Sequence, residues 1–178
     1  MRDVERVFAQ LLTAATGSRE PREKFTANLR EAQALDPDDV SLRAHNLRGT
    51  TLYHRDWLAL NEERNRMRWA WHTWFKDYDL LLCPVYPLAP HPHSDESTAT
   101  RVYRVNGKPA SHFNLLFWAG LTGVAYLPST SAPAGFTKDG LPVGVQIVGP
   151  HLGDRSTIHF ASLLEKEWQD FVPPKGLE

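Results

Sequence analysis

Residues 133–149 read PAGFTKDGLPVGVQIVG, and the reading of this stretch decides the fold class. Its second half, VGVQIV at 143–148, is a short run rich in β-branched residues, which predicts a strand. Pro142 can open that strand, because a missing N–H need not pair at the first position. Asp139-Gly140 just before it is a turn pair. Gly135 and Gly140 permit backbone angles that other residues resist. Gly144 inside the strand predicts close approach of another backbone or side chain. Gln146 is a polar side chain among apolar neighbours, so burial would oblige it to find hydrogen-bond partners. A second strand is expected over 124–130, from Val124, Tyr126 and Leu127.

Upstream, residues 78–84 read YDLLLCP. The run Leu80 to Cys83 is apolar, unalternating and stopped by Pro84, the pattern of a strand buried on both faces. Pro87, Pro90 and Pro92 then forbid both helix and central strand. Residues 93–112 read as an irregular excursion with Asn106-Gly107 as a turn, and 113–121 as a short helix.

Helices flank this region. Val4, Val7, Phe8, Leu11 and Leu12 recur at helical spacing over 2–16, with Gly17 as a stop. A second helix is expected over 22–34, with Phe25, Leu29 and Ala32 on one side. Asp36-Pro37-Asp38-Asp39 reads as the start of a third, running towards Leu47 with Gly49 as a weak point. The fourth, about 56–76, places Leu60, Met67, Trp71, Trp74 and Tyr78 near one face. A last helix is expected over 155–169, capped by Asp154 and stopped by Pro173 and Pro174. Its buried face would be Ile158, Ala161, Leu164 and Trp168.

This order gives an α/β arrangement, with helices packed on a small mixed sheet of about three strands. Residues 1–178 read as a single partial domain. Residues 1–78 form a mainly helical segment, and 79–170 run strand, loop, strand, strand, helix. Three short strands make a poor sheet, so further strands are expected from elsewhere.

Composition excludes several classes. The formal net charge is −1, so no overall basic excess points to nucleic acid or an anionic membrane. Cys83 is the single cysteine and cannot form an internal disulfide, which fits a reducing cytoplasm. Charges at Arg2, Asp3, Glu5 and Arg6 break any apolar leader, and no stretch approaches the roughly 20 apolar residues of a membrane span.

Other side chains offer candidate chemistry. His91 and His93 stand near Asp95 and Glu96, but no second histidine pair appears at zinc spacing, so no metal is expected. Cys83 has no identifiable base beside it, and a buried cysteine is ordinarily inert. Ser129, Thr130 and Ser131 lack a nucleophile elbow. Arg43, Arg48, Arg55, Arg64, Arg66 and Arg68 interleave with Trp57, Trp69, Trp71 and Trp74, yet Asp56, Glu62 and Glu63 share the helix. A tryptophan stripe at helical spacing is core more often than a stacking surface for single strands.

Three segments in this order, YDLLLCP at 78–84, PAGFTKDGLPVGVQIVG at 133–149 and GDRSTIHFASLLEKEW at 153–168, resemble the closing third of amidase-signature enzymes. Residues 62–78, with Glu62, Arg66, Trp71, Phe75 and Tyr78, resemble the helix that precedes the first of them. The resemblance implies an amide C–N bond hydrolase without metal or organic cofactor. In that family a lysine and a bridging serine activate a nucleophilic serine, and a glycine- and serine-rich stretch supplies the oxyanion donors. No position here matches that motif, so the resemblance carries over no catalytic residue. What it carries over is the wall of a substrate channel: Cys83, Val85, Tyr86 and Leu88, with Phe113, Phe117 and Trp118. It implies a small-molecule amide as substrate once joined to an N-terminal portion, whether in one longer chain or as a separate catalytic chain. A homodimer is also open, as is a non-catalytic binding or interaction module that retains the scaffold. The 178 residues alone are expected to be inactive.

Overall fold

Ser41 shows how local chemistry sets the helix boundaries. The computed structural model describes residues 3–17, 19–98, 100–168 and 170–173. Arg2, Gln169 and Pro174, which the sequence assigns to helix ends and a stop, lie outside them. The chain divides into two units, Met1–Ala70 and Trp71–Glu178.

The first unit holds α1 (Val4–Gly17), α2 (Arg22–Gln33), α3 (Leu42–Thr50) and most of α4 (His54–Trp74). The aspartates at 36–39 do not start α3. Asp36 accepts from the Asp38 N–H at 2.9 Å, closing a local turn, and Asp39 accepts from Ser41 N–H at 2.7 Å. A short side chain that bonds its own backbone competes with the helix, and here it wins. Ser41 takes the N-cap, its hydroxyl accepting from Ala44 N–H at 3.2 Å. Arg48 then ties the turn to α3, donating to the carbonyls of Asp39, Asp36 and Pro37 at 2.6, 2.8 and 3.1 Å.

Gly49 is not a weak point but the place where α3 crosses α1. A Cβ there would meet Thr13 Oγ1 and lie 2.7 Å from Gln10 Cα. Val7, Ala9 and Ala44 are fully buried in this unit. His45 is buried beside them, and its Nδ1 has no hydrogen-bond partner among the described residues.

The second unit opens with an aromatic cluster. Trp71 is buried; Trp74 meets it edge to face at 5.6 Å and stacks on Tyr78 at 4.4 Å. Tyr78 lies beyond the helix end and is exposed, as is Trp69, so the tryptophan stripe is only partly core.

The strands are β1 (Leu81–Pro84), β2 (Val102–Val105), β3 (Lys108–Ser111), β4 (Ser129–Phe136) and β5 (Pro142–Val148). The main sheet has the order β1-β5-β4, the three strands expected, but both pairings are antiparallel rather than mixed. The reason is the insertion of β5: β1 and β4 run in the same direction and never touch.

β4 starts at Ser129, not at 124. Residues 124–127 instead close the helix before it, with Tyr126 at φ 57° and Leu127 N–H donating to Thr122 O at 3.2 Å. Pro133-Ala134-Gly135 itself lies in β4 as a bulge: Pro133 pairs with Gly144 and Gly135 with Val143, leaving Ala134 extra. Residues 93–112 are not wholly irregular. β2 and β3 form a hairpin around Asn106 and Gly107, whose positive φ values of 51° and 78° fit the tight turn that matches strand twist.

Two helices cover the sheet, α5 (Phe117–Gly123), preceded by a 3-10 turn over Asn114–Leu116, and α6 (Asp154–Glu167). Asp154 is inside α6 and makes no side-chain cap; Gly153 precedes it. The face of α6 that meets the sheet is Thr157, Ala161 and Leu164, with Thr130 donating to Thr157 Oγ1 at 2.8 Å. Ile158, one position further round, is exposed, and so is Trp168 past the helix end. Trp168 nevertheless donates from Nε1 to the bulge carbonyl of Ala134 at 3.3 Å. The close approach expected at Gly144 occurs at Gly149, where a Cβ would lie 2.7 Å from Thr157 Cγ2; at Gly144 the nearest atom would be 3.4 Å away. Among the described residues no helix is long and apolar enough to cross a membrane.

Two outcomes follow from the first unit. Gly49→Val forces apart α1 and α3, and thermal or urea unfolding should show a loss of about 2 kcal/mol. Burial, aided by Arg48 and Arg6 against the weaker pull of Glu5 and Asp39, holds the His45 pKa below 6.5. A lowered folded pKa means that the unfolded chain binds the extra proton. The contribution is therefore present above pH 6.5 and lost as pH falls below it. Unfolding midpoints between pH 8 and pH 5 should fall less for His45→Gln than for the parent chain.

Candidate active-site wall

β1 carries Cys83 into the sheet, directly opposite Gln146 on β5 and, across it, Ser131 on β4. Opposed residues in antiparallel pairs share a face, so these three form one row. Cys83 and Gln146 are buried, and Ser131 is exposed. Gln146 meets the requirement that its burial imposes. Its Nε2 donates to Cys83 Sγ at 3.5 Å and to Thr122 Oγ1 at 3.4 Å, both long hydrogen bonds. Thr122 in turn donates to Trp118 O at 3.3 Å, one turn back on α5. One buried amide thus links the end of β1 to α5, the two segments that hold the candidate wall residues.

After Pro84 the chain bends through Val85, Tyr86 and Leu88, all half-buried. Val85 lies over Gly144, its Cγ2 3.7 Å from where a Cβ would stand. Tyr86 stacks on His91 at 6.4 Å, and His91 meets Tyr103 edge to face at 5.1 Å. Tyr103 is buried in β2, with the Arg101 guanidinium 4.9 Å from its ring centre and His112 tilted against it at 6.1 Å. Phe113, next in sequence, is half-buried. Phe117 is exposed and Trp118 half-buried, their rings edge to face at 5.2 Å.

Burial sets the electrostatics of these residues. Burial pushes the Cys83 thiol pKa up, and the Gln146 bond only partly offsets it. Burial also raises the Tyr86 phenol, reinforced by Tyr103 and opposed by Arg101. Neither group is activated as a nucleophile or base. Ser129 is exposed, and Thr130 is engaged with Thr157. His91 is taken up in ring stacking; His93, Asp95 and Glu96 are exposed. Among the described residues no three His, Cys, Asp or Glu side chains converge on one point. A separate apolar cleft of about 270 Å³ lies between the β4–β5 hairpin and Phe171 and Val172, and contains none of the wall candidates.

Thr122, Tyr103 and His112 do not stand out in the sequence as site residues. Tyr103 has a usable signal: Val102-Tyr103-Arg104-Val105 immediately before Asn106-Gly107 is the pattern of a hairpin strand. Thr122 has none, since only tertiary packing brings it to Gln146.

Known proteins resemble this chain in sequence and in fold. A glutamyl-tRNA(Gln) amidotransferase subunit from Clostridium acetobutylicum is 31% identical over 93 residues, 52% of this chain and 18% of that protein. The corresponding protein of Saccharolobus solfataricus is 26% identical over 145 residues, 82% of this chain and 28% of its own. The crystal structure of an amidase superposes with a TM-score of 0.65 at 22% identity, over 92% of this chain and 35% of that one. The chain therefore spans 18% and 28% of these curated relatives and about a third of the solved amidase. A sequence profile of the Amidase family matches residues 4–158, most of the chain, and the chain belongs to that family.

Proposed function

We propose that these residues serve amide C–N bond hydrolysis as the C-terminal part of an amidase. They complete the sheet and shape the substrate channel, while the activated serine comes from the remainder of the fold. The observation that carries this reading is the Gln146 bridge: in a chain of the Amidase family, it fixes the end of β1 against α5. Cys83, Val85, Tyr86 and Leu88 form one side of the proposed wall, and Phe113, Phe117 and Trp118 the other. Their apolar character suits a small-molecule amide, because it excludes competing water and strengthens the charge interactions that stabilise an oxyanion nearby.

The chemistry needs nothing from these residues but position. In acyl transfer by a serine, the hydroxyl oxygen attacks the amide carbon, its proton passes to the base, and the amine leaves with a proton. Water then releases the acyl group. A wall that holds the amide in line contributes orientation, a large share of the barrier reduction in such reactions. No metal or organic cofactor enters this proposal, and nucleic acid and membrane are not among its partners. The catalytic segment would be covalently joined or supplied by a separate chain, in a reducing cytoplasm that leaves Cys83 as a thiol.

Two measurements test the reading. The purified 178-residue chain should give no turnover of a simple aryl amide above buffer. Turnover that a serine-directed inactivator abolishes would overturn the assignment, and binding of an amide without turnover in any completed form would favour the non-catalytic module. Cys83 should also behave as a wall residue. Its reaction with a water-soluble disulfide reagent at pH 8 should be at least about tenfold slower in the folded chain than in guanidinium. Equal rates would place the thiol in solvent.

A further inference from the structure

The β2–β3 hairpin stands on a single buried side chain. Between Val102 and Ser111 only Tyr103 is buried. Val102 is 68% exposed, and Arg104, Lys108 and Pro109 also stand in solvent. Arg104 bonds within the hairpin, donating to Gly107 O at 3.2 Å. The element that packs on β3 is the 3-10 turn at Asn114–Leu116, which follows it directly in the chain. Two strands alone are marginal in water. What grips Tyr103 therefore decides where the hairpin sits.

The grip is made of rings. His91 meets Tyr103 edge to face at 5.1 Å, His112 lies tilted against it at 6.1 Å, and the Arg101 guanidinium stands 4.9 Å from its centre. Arg101 also donates to Pro92 O at 3.0 Å, at the near end of the loop. The other side of His91 stacks on Tyr86 at 6.4 Å. One histidine thus touches both the hairpin and the candidate wall. The grip has a fault. The Nδ1 of His112 is sealed from solvent and has no hydrogen-bond partner among the described residues. Opening would hydrate that atom, so the closed seat is weaker than its ring contacts alone would make it. Both ends of the hairpin leave room to move. Residues 91–98 are exposed throughout. At the far end Ser111 donates from its N–H and its Oγ to Asn114 Oδ1, at 3.0 and 2.8 Å, a small bonded turn.

We propose that the β2–β3 hairpin is a flap over the candidate wall at Tyr86, with Tyr103 as its latch and the Ser111–Asn114 turn as its pivot. Open, the flap uncovers the outer side of Tyr86 and His91. Closed, it presses His91 back onto Tyr86 and excludes water from that side of the wall. What the flap admits, an amide, rests on the proposed hydrolase reading; its opening does not. Elements that gate a site are drawn from the least stable part of a fold, and a hairpin with one buried ring is such an element beside β5, which is paired on both sides.

The test is hydrogen exchange and hydroxyl-radical footprinting of the 178-residue chain. The ladder amides of the hairpin should exchange at least about 100-fold faster than those of 145–148, at a rate that low urea barely changes, because a local opening exposes little surface. Tyr103→Ala should speed the hairpin by a further tenfold or about that, and leave 145–148 within about twofold. Tyr103→Phe, which keeps the ring, should stay within about twofold of the parent. Radical labelling of Tyr86 should rise at least about threefold in Tyr103→Ala, while that of the exposed Tyr53 stays level. If Tyr103→Ala loses protection over 145–148 as well, Tyr103→Leu and the urea dependence of the parent decide. Hairpin and main sheet opening together, in one urea-sensitive step, would overturn the flap. A faster hairpin with Tyr86 labelling unchanged would also overturn it, since the hairpin would then move without uncovering the wall. Neither readout needs turnover, so failure of the flap and failure of the hydrolase reading are separate results.

Discussion

The buried amide of Gln146 is the constraint on which the second unit depends. Leaving one buried polar group unpaired costs about 1–3 kcal/mol, a large share of a domain's net stability. The Gln146 amide avoids that only if Cys83 stands across from it on β1 and Thr122 reaches down from α5. An apolar residue would fill the same space and accept several registers. The amide accepts one. A slip of β5 by a single residue would carry Gln146 to the opposite face, where Thr130 and Thr157 already satisfy each other.

The same logic explains why polar bonds between the sheet and its helices sit where they do. Thr130 and Thr157 lock α6 to β4 on one face; Gln146 and Thr122 lock α5 to β5 on the other. Gly149 lets α6 come close enough for the first contact, since a Cβ would collide with Thr157. Between these points the packing is apolar, through Ile147 and Val148, both fully buried. Hydrophobic burial supplies the free energy, and the paired polar groups select the arrangement.

Much of this was legible in the sequence, and the failures share one cause. VGVQIV was readable as a strand because β-branched residues and a leading proline act locally. The requirement on Gln146 followed from its polarity, though not the identity of its partners. The start of α3 was misplaced because Asp36 has two local uses, cap and turn, and only the packing of Arg48 over 36–39 chooses between them. β4 begins later than 124 because Tyr126 turns to a positive φ and Leu127 N–H closes the helix before it, contacts that the apolar spacing of 124–127 does not announce. Ile158 reads as core by spacing alone, yet α6 turns Thr157 to the sheet, where it meets Thr130 and packs over the bare backbone of Gly149. The wall candidates were found through family resemblance. Spacing alone would not have joined residues 83–88 to 113–118, because the connection runs through Gln146, far from both in sequence.

A wall and a nucleophile make opposite physical demands, and this explains how a scaffold can carry so little chemistry of its own. A nucleophile needs a neighbouring base and partial access to solvent to exchange protons. A wall needs burial, which pushes thiols and phenols towards their neutral forms. Cys83 and Tyr86 show the second condition: burial raises both pKa values, and the charges nearby do not reverse it. The arrangement that makes these residues poor catalysts makes them chemically quiet surfaces. In the proposed hydrolase, an amide held against such a surface would meet a thiol and a phenol that burial keeps towards their neutral forms, and its reaction would be left to the serine supplied by the rest of the fold.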